Sequence, residues 1–459
     1  MNDQRLKDAL REATDTREVV IGDSVLDRVP EVFERCFDDA RAVLICDENT
    51  LSVAGVAVQH SLEEADRAPV ERFVFPGRPV LYADYENIEK LVGWLKEHQG
   101  TPVAVGSGTL NDIVKRAAFE CERPYMTVAT AASMDGYASF GASITKDGFK
   151  HTMECPAPRA VLADLATLVE APARMTSSGY GDLLAKIPAG GDWIVADVLE
   201  VEPIEPKAWE LVQEPLRDAT GRPGDLRAGD RAAMEGLIDG LIMSGLAMQA
   251  TSSSRPASGA EHQFSHLWEM EGLGQHPEND DEPPLSHGFK VGIGTVSISA
   301  LYGVALELDL SALDAAAIAA RWPSWEEVER RVREAHPDPR LTDRVIEQSR
   351  AKYVDARQLE ERLTLLRQRW PALRDRLREQ LLPAEVVREQ LQLAGCPTTP
   401  GEIGVEIDRF KATYRRAQMI RSRYTVLDLL NEAGQLDQCV EALFADGGFW
   451  QRQLSAARA

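Results

Sequence analysis

The sequence predicts a two-part protein, an α/β unit over residues 1–170 followed by an all-helical unit over residues 171–459. Three observations lead there. Short β-branched runs alternate with helical stretches through the first third of the chain, the pattern of a parallel sheet with helices on its faces. A Gly-Ser-Gly turn joins one of those strands to the helix that follows it. Beyond about Pro172 the β-branched runs give way to long amphipathic stretches.

The elements follow in order. Val19-Val20-Ile21 reads as a strand, as does Ala42 to Cys46, which ends at Asp47. Phe73-Val74-Phe75 is a third, stopped by the turn pair Pro76-Gly77. Between Tyr85 and His98, Ile88, Leu91, Val92 and Leu95 fall at helical spacing. Val103-Ala104-Val105 runs into Gly106-Ser107-Gly108, and after a helix the run from Tyr125 to Ala129 is a further strand. In the second part, helices are expected over 182–199, 231–249, 312–319, 325–335 and 341–382. The last is dense in Glu and Arg, as a solvated helical face is. Segments 218–230 and 274–284 are polar and turn-rich and read as surface loops.

At 459 residues the chain can build two substantial cores, and its 44% hydrophobic and 27% charged residues are ordinary for a soluble globular protein. A net charge of -23 argues against nucleic acid as a partner, because phosphate backbones are bound by clustered Lys and Arg. A phosphorylated ligand would need a local positive feature against that overall field. The six scattered cysteines form no CxxC pair, which fits reduced thiols in a cytoplasmic protein. The first twenty residues lack the apolar core of a signal peptide, and no apolar run is read as approaching the roughly 20 residues of a membrane span.

Several positions carry chemistry. Gly106-Ser107-Gly108-Thr109 follows a strand and opens a helix, where backbone N–H groups and the helix dipole can hold a dinucleotide pyrophosphate. The full GxGxxG is absent, since Asn111 stands at the third glycine position, and a plain tight turn explains the run equally well. Asp47 suits either a ribose hydroxyl contact or the N-cap of the next helix. The run from Thr130 to Ser139 is small and hydroxylic, suited to close ligand approach or to a polar Asp-Gly loop. Asp182, His262 and His287 stand in glycine-containing segments. One carboxylate and two imidazoles leave a coordination position open, as a catalytic zinc or ferrous site requires. His266 stands four residues after His262, so on a helix both rings share a face and spacing leaves the ligand set ambiguous.

Five segments in this order, GSGTLNDIVK, TAASMDGYAS, GYGDLLAK, RPASGAEHQFSH and LSHGFKVGIGT, resemble the sn-glycerol-1-phosphate dehydrogenase family. GEIGVEIDRFKATYRRAQMIRSRYTVLDLLNEAG near the C-terminus is similar to that family's last helices. The resemblance implies the fold of the iron-containing alcohol dehydrogenase and dehydroquinate synthase-like superfamily. It departs at 218–230 and in the long charged stretch near 325–390.

The resemblance further implies that Asp182, His262 and His287 bind one divalent metal, zinc first, with iron or nickel as alternatives. It places the NAD(P) pyrophosphate on Gly106, Ser107, Gly108, Thr109 and Leu110, with further cofactor contacts from Thr130, Ala131, Ala132, Ser133 and Ser139. Asp135 and His266 would contact the substrate and orient or protonate its hydroxyls, with Asp182 beside them. Asp47 would take the adenosine ribose, and its carboxylate would favour NAD(H) over NADP(H), which remains usable. The substrate would be a small phosphorylated polyol or ketone, interconverting glycerol 1-phosphate and dihydroxyacetone phosphate, and the protein a homo-oligomer. Arg255 and Lys150 are the candidates for the phosphate anchor. Three other readings compete: a dehydroquinate synthase-like cyclase, a dehydrogenase of an unphosphorylated or longer polyol, and a non-catalytic binding protein.

Overall fold

The computed structural model describes residues 3–456 except 39, 68, 147–148 and 275–282. Its strands are β1 (Glu18–Gly22), β2 (Ala42–Asp47), β3 (Glu71–Phe75), β4 (Thr101–Gly106), β5 (Met126–Ala129), β6 (Ala142–Lys146), β7 (Phe149–Met153) and β8 (Ala160–Asp164). Six of them form a sheet in the order β1-β8-β5-β4-β2-β3, parallel throughout, and β6 and β7 pair as an antiparallel hairpin. The inner strands β4, β5 and β8 are buried along their whole length, which is why they read as unbroken Val, Leu and Ala runs rather than alternating ones. The edge strand β3 begins with exposed Glu71 and Arg72, charges that discourage edge-to-edge pairing.

β3 lies outside β2, while β5 lies on the far side of β4. Chain order therefore reverses between β2 and β4, and the crevice above their carboxyl ends is the switch point where open α/β sheets bind ligands.

From Ala173 onward the described chain is helical. The helix Ala173–Leu184 runs almost directly into Lys186–Val198, so the expected helix over 182–199 is the second half of a longer pair. The expected run over 341–382 is two helices, Pro339–Lys352 and Ala356–Gln380, separated where Asp355 caps the second. The expected loop at 218–230 is instead two short helices, Leu216–Thr220 and Pro223–Arg227. Pro223 starts the second, and Leu216, Thr220, Pro223 and Leu226 supply a buried stripe that the polar residues hide in the sequence. Of the other expected loop, residues 275–282 lie outside the described residues.

The N-terminal helix Asp3–Glu12 buries Leu6 and Ala9 and packs on the helix Arg231–Thr251, with Arg5 paired to Asp239. The helix His287–Ala305 is 19 residues long and, by length and composition alone, apolar enough to cross a membrane, contrary to the sequence reading. Its apolar window is 83% buried, against Ala173–Leu184 and Ala260–Met270, as a core helix is.

These helices touch backbone to backbone. A Cβ at Gly288 would lie 1.8 Å from the Ser178 carbonyl oxygen, and one at Gly181 would lie 2.5 Å from that of Gly288. A Cβ at Gly179 would lie 2.0 Å from the Ala132 oxygen. The glycines of GYGDLLAK and LSHGFK thus bring Asp182 and His287 together by letting two helices approach. Gly288→Ala is expected to destabilise by about 3 kcal/mol or more, since the clash is with backbone that cannot rotate away. Urea unfolding checks this, and a midpoint equal to wild type would refute the packing argument.

Candidate active site

A cavity of about 1140 Å³ opens above the carboxyl ends of β2 and β4 and reaches the three histidines of the helical region. Asp47, Ser107, Gly108, Thr109, Leu110, Thr130, Ser133, Asp135 and Ser139 line it. Gly106, Ala131 and Ala132 stand behind its surface. The Gly106 carbonyl accepts from Thr130 N at 3.1 Å, and that of Ala131 accepts the Tyr137 hydroxyl at 2.6 Å. Asp47 meets both of its readings at once. It caps the following helix through Oδ1, which accepts from the amides of Asn49 and Thr50 at 2.8 Å each, and it also lines the cavity.

The hydroxylic run is held rigidly. Lys115, the last residue of GSGTLNDIVK, is buried and donates to the carbonyls of Gly136, Ser139 and Gly141 at 2.9, 2.9 and 3.0 Å. The Ser178 hydroxyl donates to the Ser133 carbonyl at 3.1 Å, tying the run to the aspartate helix.

Asp182, His262 and His287 converge. Each offers a ligand atom, and these atoms lie within 4.8 Å of one another. The ring centroids of His262 and His287 are 5.5 Å apart. The second layer fixes which nitrogen faces inward. Nδ1 of His262 is 2.8 Å from Glu261 Oε1, and its Nε2 points to Asp182 Oδ1 at 3.4 Å. Nδ1 of His287 is 2.9 Å from Glu269 Oε1 and 3.2 Å from the Ser265 hydroxyl. Imidazoles anchored at Nδ1 by a carboxylate, so that Nε2 is left to face the ion, are how histidines are prepared as metal ligands.

The residues expected to contact substrate, Asp135 and His266, lie beside that cluster. Asp135 Oδ2 accepts from the Ser244 hydroxyl at 3.1 Å and pairs with Lys186 at 2.8 Å, while its amide donates to Asp182 Oδ2 at 3.0 Å. Lys186 also holds Asp182 Oδ1 at 2.6 Å. Burial disfavours charge on Asp182, but Lys186 first, then His262, keep its carboxyl well below the usual range. Burial likewise opposes charge on Lys186, yet Asp135 and Asp182 together raise its pKa. On His262 burial is outweighed by the bonds to Asp182 and Glu261, which raise its pKa. Burial pushes His266 the other way, down to about 3, despite Glu269 3.6 Å from its Nδ1.

Arg255, an expected phosphate anchor, does not line the cavity. It is buried, donating to the carbonyls of Tyr424 at 3.0 Å and Asp192 at 2.7 Å, so it ties helices together. Four partners escaped the sequence reading: Lys186, Glu261, Glu269 and Lys290. The available signal was a charge in an apolar helix, as at Lys186 four residues after Asp182, or a carboxylate flanking HQFSH. Gln263 adds another, since it lines the cavity, is buried, and its amide has no hydrogen-bond partner among the described residues. A bound ligand would satisfy it.

Residues 20–172 match the model of the iron-containing alcohol dehydrogenase family. A glycerol-1-phosphate dehydrogenase [NAD(P)+] of Bacillus subtilis (strain 168) is 30% identical, over 90% of this chain and 91% of that protein. One from Pyrococcus furiosus is 32% identical, over 63% of this chain and 79% of that protein. The solved structure of a glycerol dehydrogenase from Schizosaccharomyces pombe superposes with a TM-score of 0.58 at 17% identity, covering 96% of this chain and 92% of that one.

Proposed function

The chain belongs to the glycerol-1-phosphate dehydrogenase family, and from that premise we propose that it interconverts glycerol 1-phosphate and dihydroxyacetone phosphate. It would use NAD(H) in preference to NADP(H) and one divalent metal, zinc first. The observation that carries this reading is the convergence of Asp182, His262 and His287, with both imidazoles anchored at Nδ1 by carboxylates. That donor set fits a catalytic divalent ion, because it supplies three ligands and leaves a position open. When bound, the ion would act as a Lewis acid toward the reacting oxygen and the nicotinamide would exchange hydride with the substrate carbon.

The chain's own residues would divide the remaining work. Asp135, held by Lys186 and Ser244, accepts a hydrogen bond from a substrate hydroxyl. His266, kept neutral by burial, orients a hydroxyl or moves its proton at Nε2, since Nδ1 faces Glu269. Ser107 to Leu110, at a helix start, bind the pyrophosphate through backbone amides. We place the boundary between the two units near residue 170, before the helix Ala173–Leu184. The free state of all six cysteines supports a reducing, cytoplasmic setting. A homo-oligomer is part of the same reading.

NADH oxidation by metal-loaded enzyme on dihydroxyacetone phosphate tests the proposal, and absence of turnover there would reject it. The cofactor preference has its own test. A carboxylate at Asp47 accepts ribose hydroxyls and repels a 2′-phosphate, so Asp47→Ser should narrow or reverse the preference for NAD(H). Wild type preferring NADP(H) severalfold would leave Asp47 only its capping role.

A further inference from the structure

The cavity has a second pole, on the far side of His287 from Asp182 and His262 in the hydrogen-bond chain and joined to it through Glu269. Glu269 stands seven residues after His262 on the same helix, about 10 Å along its axis at the rise of an α-helix. It is buried, and cations from three separate elements gather around it. Lys290, from the helix His287–Ala305, puts its Nζ 3.2 Å from Glu269 Oε1 and is itself buried. Lys150, from β7, reaches across from the α/β part to 3.4 Å from the same oxygen. Arg421, in the segment after the helix Ile407–Met419, lines the same cavity and makes no hydrogen bond or ion pair among the described residues.

The charges do not balance. Among the described residues, Lys150, Lys290 and Arg421 bring three positive charges to the carboxylate of Glu269, with Asp112 the other anion near Lys150, in a chain whose net charge is -23. Burial lowers the pKa of Lys290, with Lys150 adding to it, and burial together with Arg344 lowers that of Arg421. Buried or part-buried cations that are incompletely compensated are held at a cost that an incoming anion relieves. A phosphate monoester carries about −1.5 to −2 charge at neutral pH and several strong acceptor oxygens, which answers a surplus of this size. A positive focus in an acidic protein also draws such a ligand inward.

We propose that Lys290, Lys150 and Arg421 form the subsite for the substrate's phosphate, with Glu269 as the positioning residue that holds both lysines. This rests on the polyol-phosphate reading and deepens it. One face of the helix Ala260–Met270 then presents, in order, His262 for the metal, His266 for a hydroxyl, and Glu269 with its cations for the phosphate. Because Glu269 Oε1 also meets His287 Nδ1, the phosphate pole and the ligand cluster share one carboxylate. The subsite joins two parts of the chain, so a bound phosphate draws β7 toward the helical region.

The test uses metal-loaded R421M and K290M, with dihydroxyacetone phosphate and dihydroxyacetone as the two ketones. The readout is the ratio of kcat/KM for the first to that for the second. It is expected to fall on the order of 10²-fold in each variant, the scale of a lost charged contact in a desolvated site. Affinity for inorganic phosphate, measured by calorimetry on the same holoenzyme without cofactor, should fall at least about 10-fold. Arg421 is only part-buried, so R421M keeps the test sound if K290M folds poorly. Unchanged ratios and unchanged phosphate affinity in folded, metal-loaded R421M and K290M would place the phosphate elsewhere and leave the reaction standing. Equal kcat/KM for the two ketones in wild type would instead overturn the reaction assigned above, and the subsite with it.

Discussion

His262→Ala is expected to lose its metal and at least about 10²-fold in kcat/KM, while His266→Ala keeps near-stoichiometric metal and loses roughly 10- to 10³-fold. The two rings lie on one helix with centroids 6.0 Å apart, so sequence spacing alone assigns neither. Their surroundings separate them. His262 has its Nδ1 fixed by Glu261 and aims Nε2 at Asp182, inside the set of atoms within 4.8 Å of one another. His266 is outside that set, and its Nδ1 faces Glu269 at 3.6 Å. Two remaining ligands hold a divalent ion poorly, whereas loss of a substrate contact leaves the ion in place and weakens the transition state. Elemental analysis of both variants decides the matter. A metal-free His266→Ala with a metal-loaded His262→Ala would reverse the two roles.

Lys186→Met should have the next largest effect, on stability before catalysis. Its ammonium is fully buried between Asp135 and Asp182, at 2.8 and 2.6 Å. Removing it leaves two carboxylates in a low-dielectric site, and breaking a buried charge pair in this way costs about 3–5 kcal/mol. A divalent ion on Asp182 supplies a replacement charge, so the loss should be largest in chelator and partly recovered on adding metal. Activity should fall on the order of 10²-fold even with metal, because Asp135 loses the partner that orients it. Urea unfolding with and without zinc, alongside kcat/KM, reads both effects. Lys186→Met as stable as wild type in chelator would show that the two carboxylates are compensated some other way.

How far the site was legible depends on what kind of interaction defines each residue. Asp182, His262, His287, Asp135 and His266 stood out because rare residue types sit in short segments rich in glycine; four of them line one cavity, and Asp182 is buried against His262 and the Asp135 amide. Gly106, Ala131 and Ala132 belong to the same segments but stand behind the cavity wall, since a motif marks a stretch of chain and not which atoms face the ligand. Arg255 shows the same limit. Its charge suggested an anion site, yet it is spent on two carbonyls in the helical core and on Glu202. Lys186, Glu261, Glu269 and Lys290 were silent because their roles depend on partners far away in the chain, such as Asp135 for Lys186 and His287 for Glu269.

The sequence by itself determined the alternation of strands and helices, the switch to helices near Pro172, and the segments that meet at the cavity and the Asp-His-His cluster. Those features are local, set by hydrophobic period, turn residues and residue chemistry along a few consecutive positions. It missed β8, whose Ala160-Val161-Leu162-Ala163 run is too short for its period to tell strand from helix. Only the tertiary structure decided that β8 pairs between β1 and β5, and that the helices Ala173–Leu184 and His287–Ala305 meet at glycines. It alone decided which imidazole nitrogen faces inward and where the unbalanced cations gather. Each of these is a relation between residues distant in sequence. It is set by close packing and by the need of buried charges and polar groups for partners, and neither leaves a period in the chain.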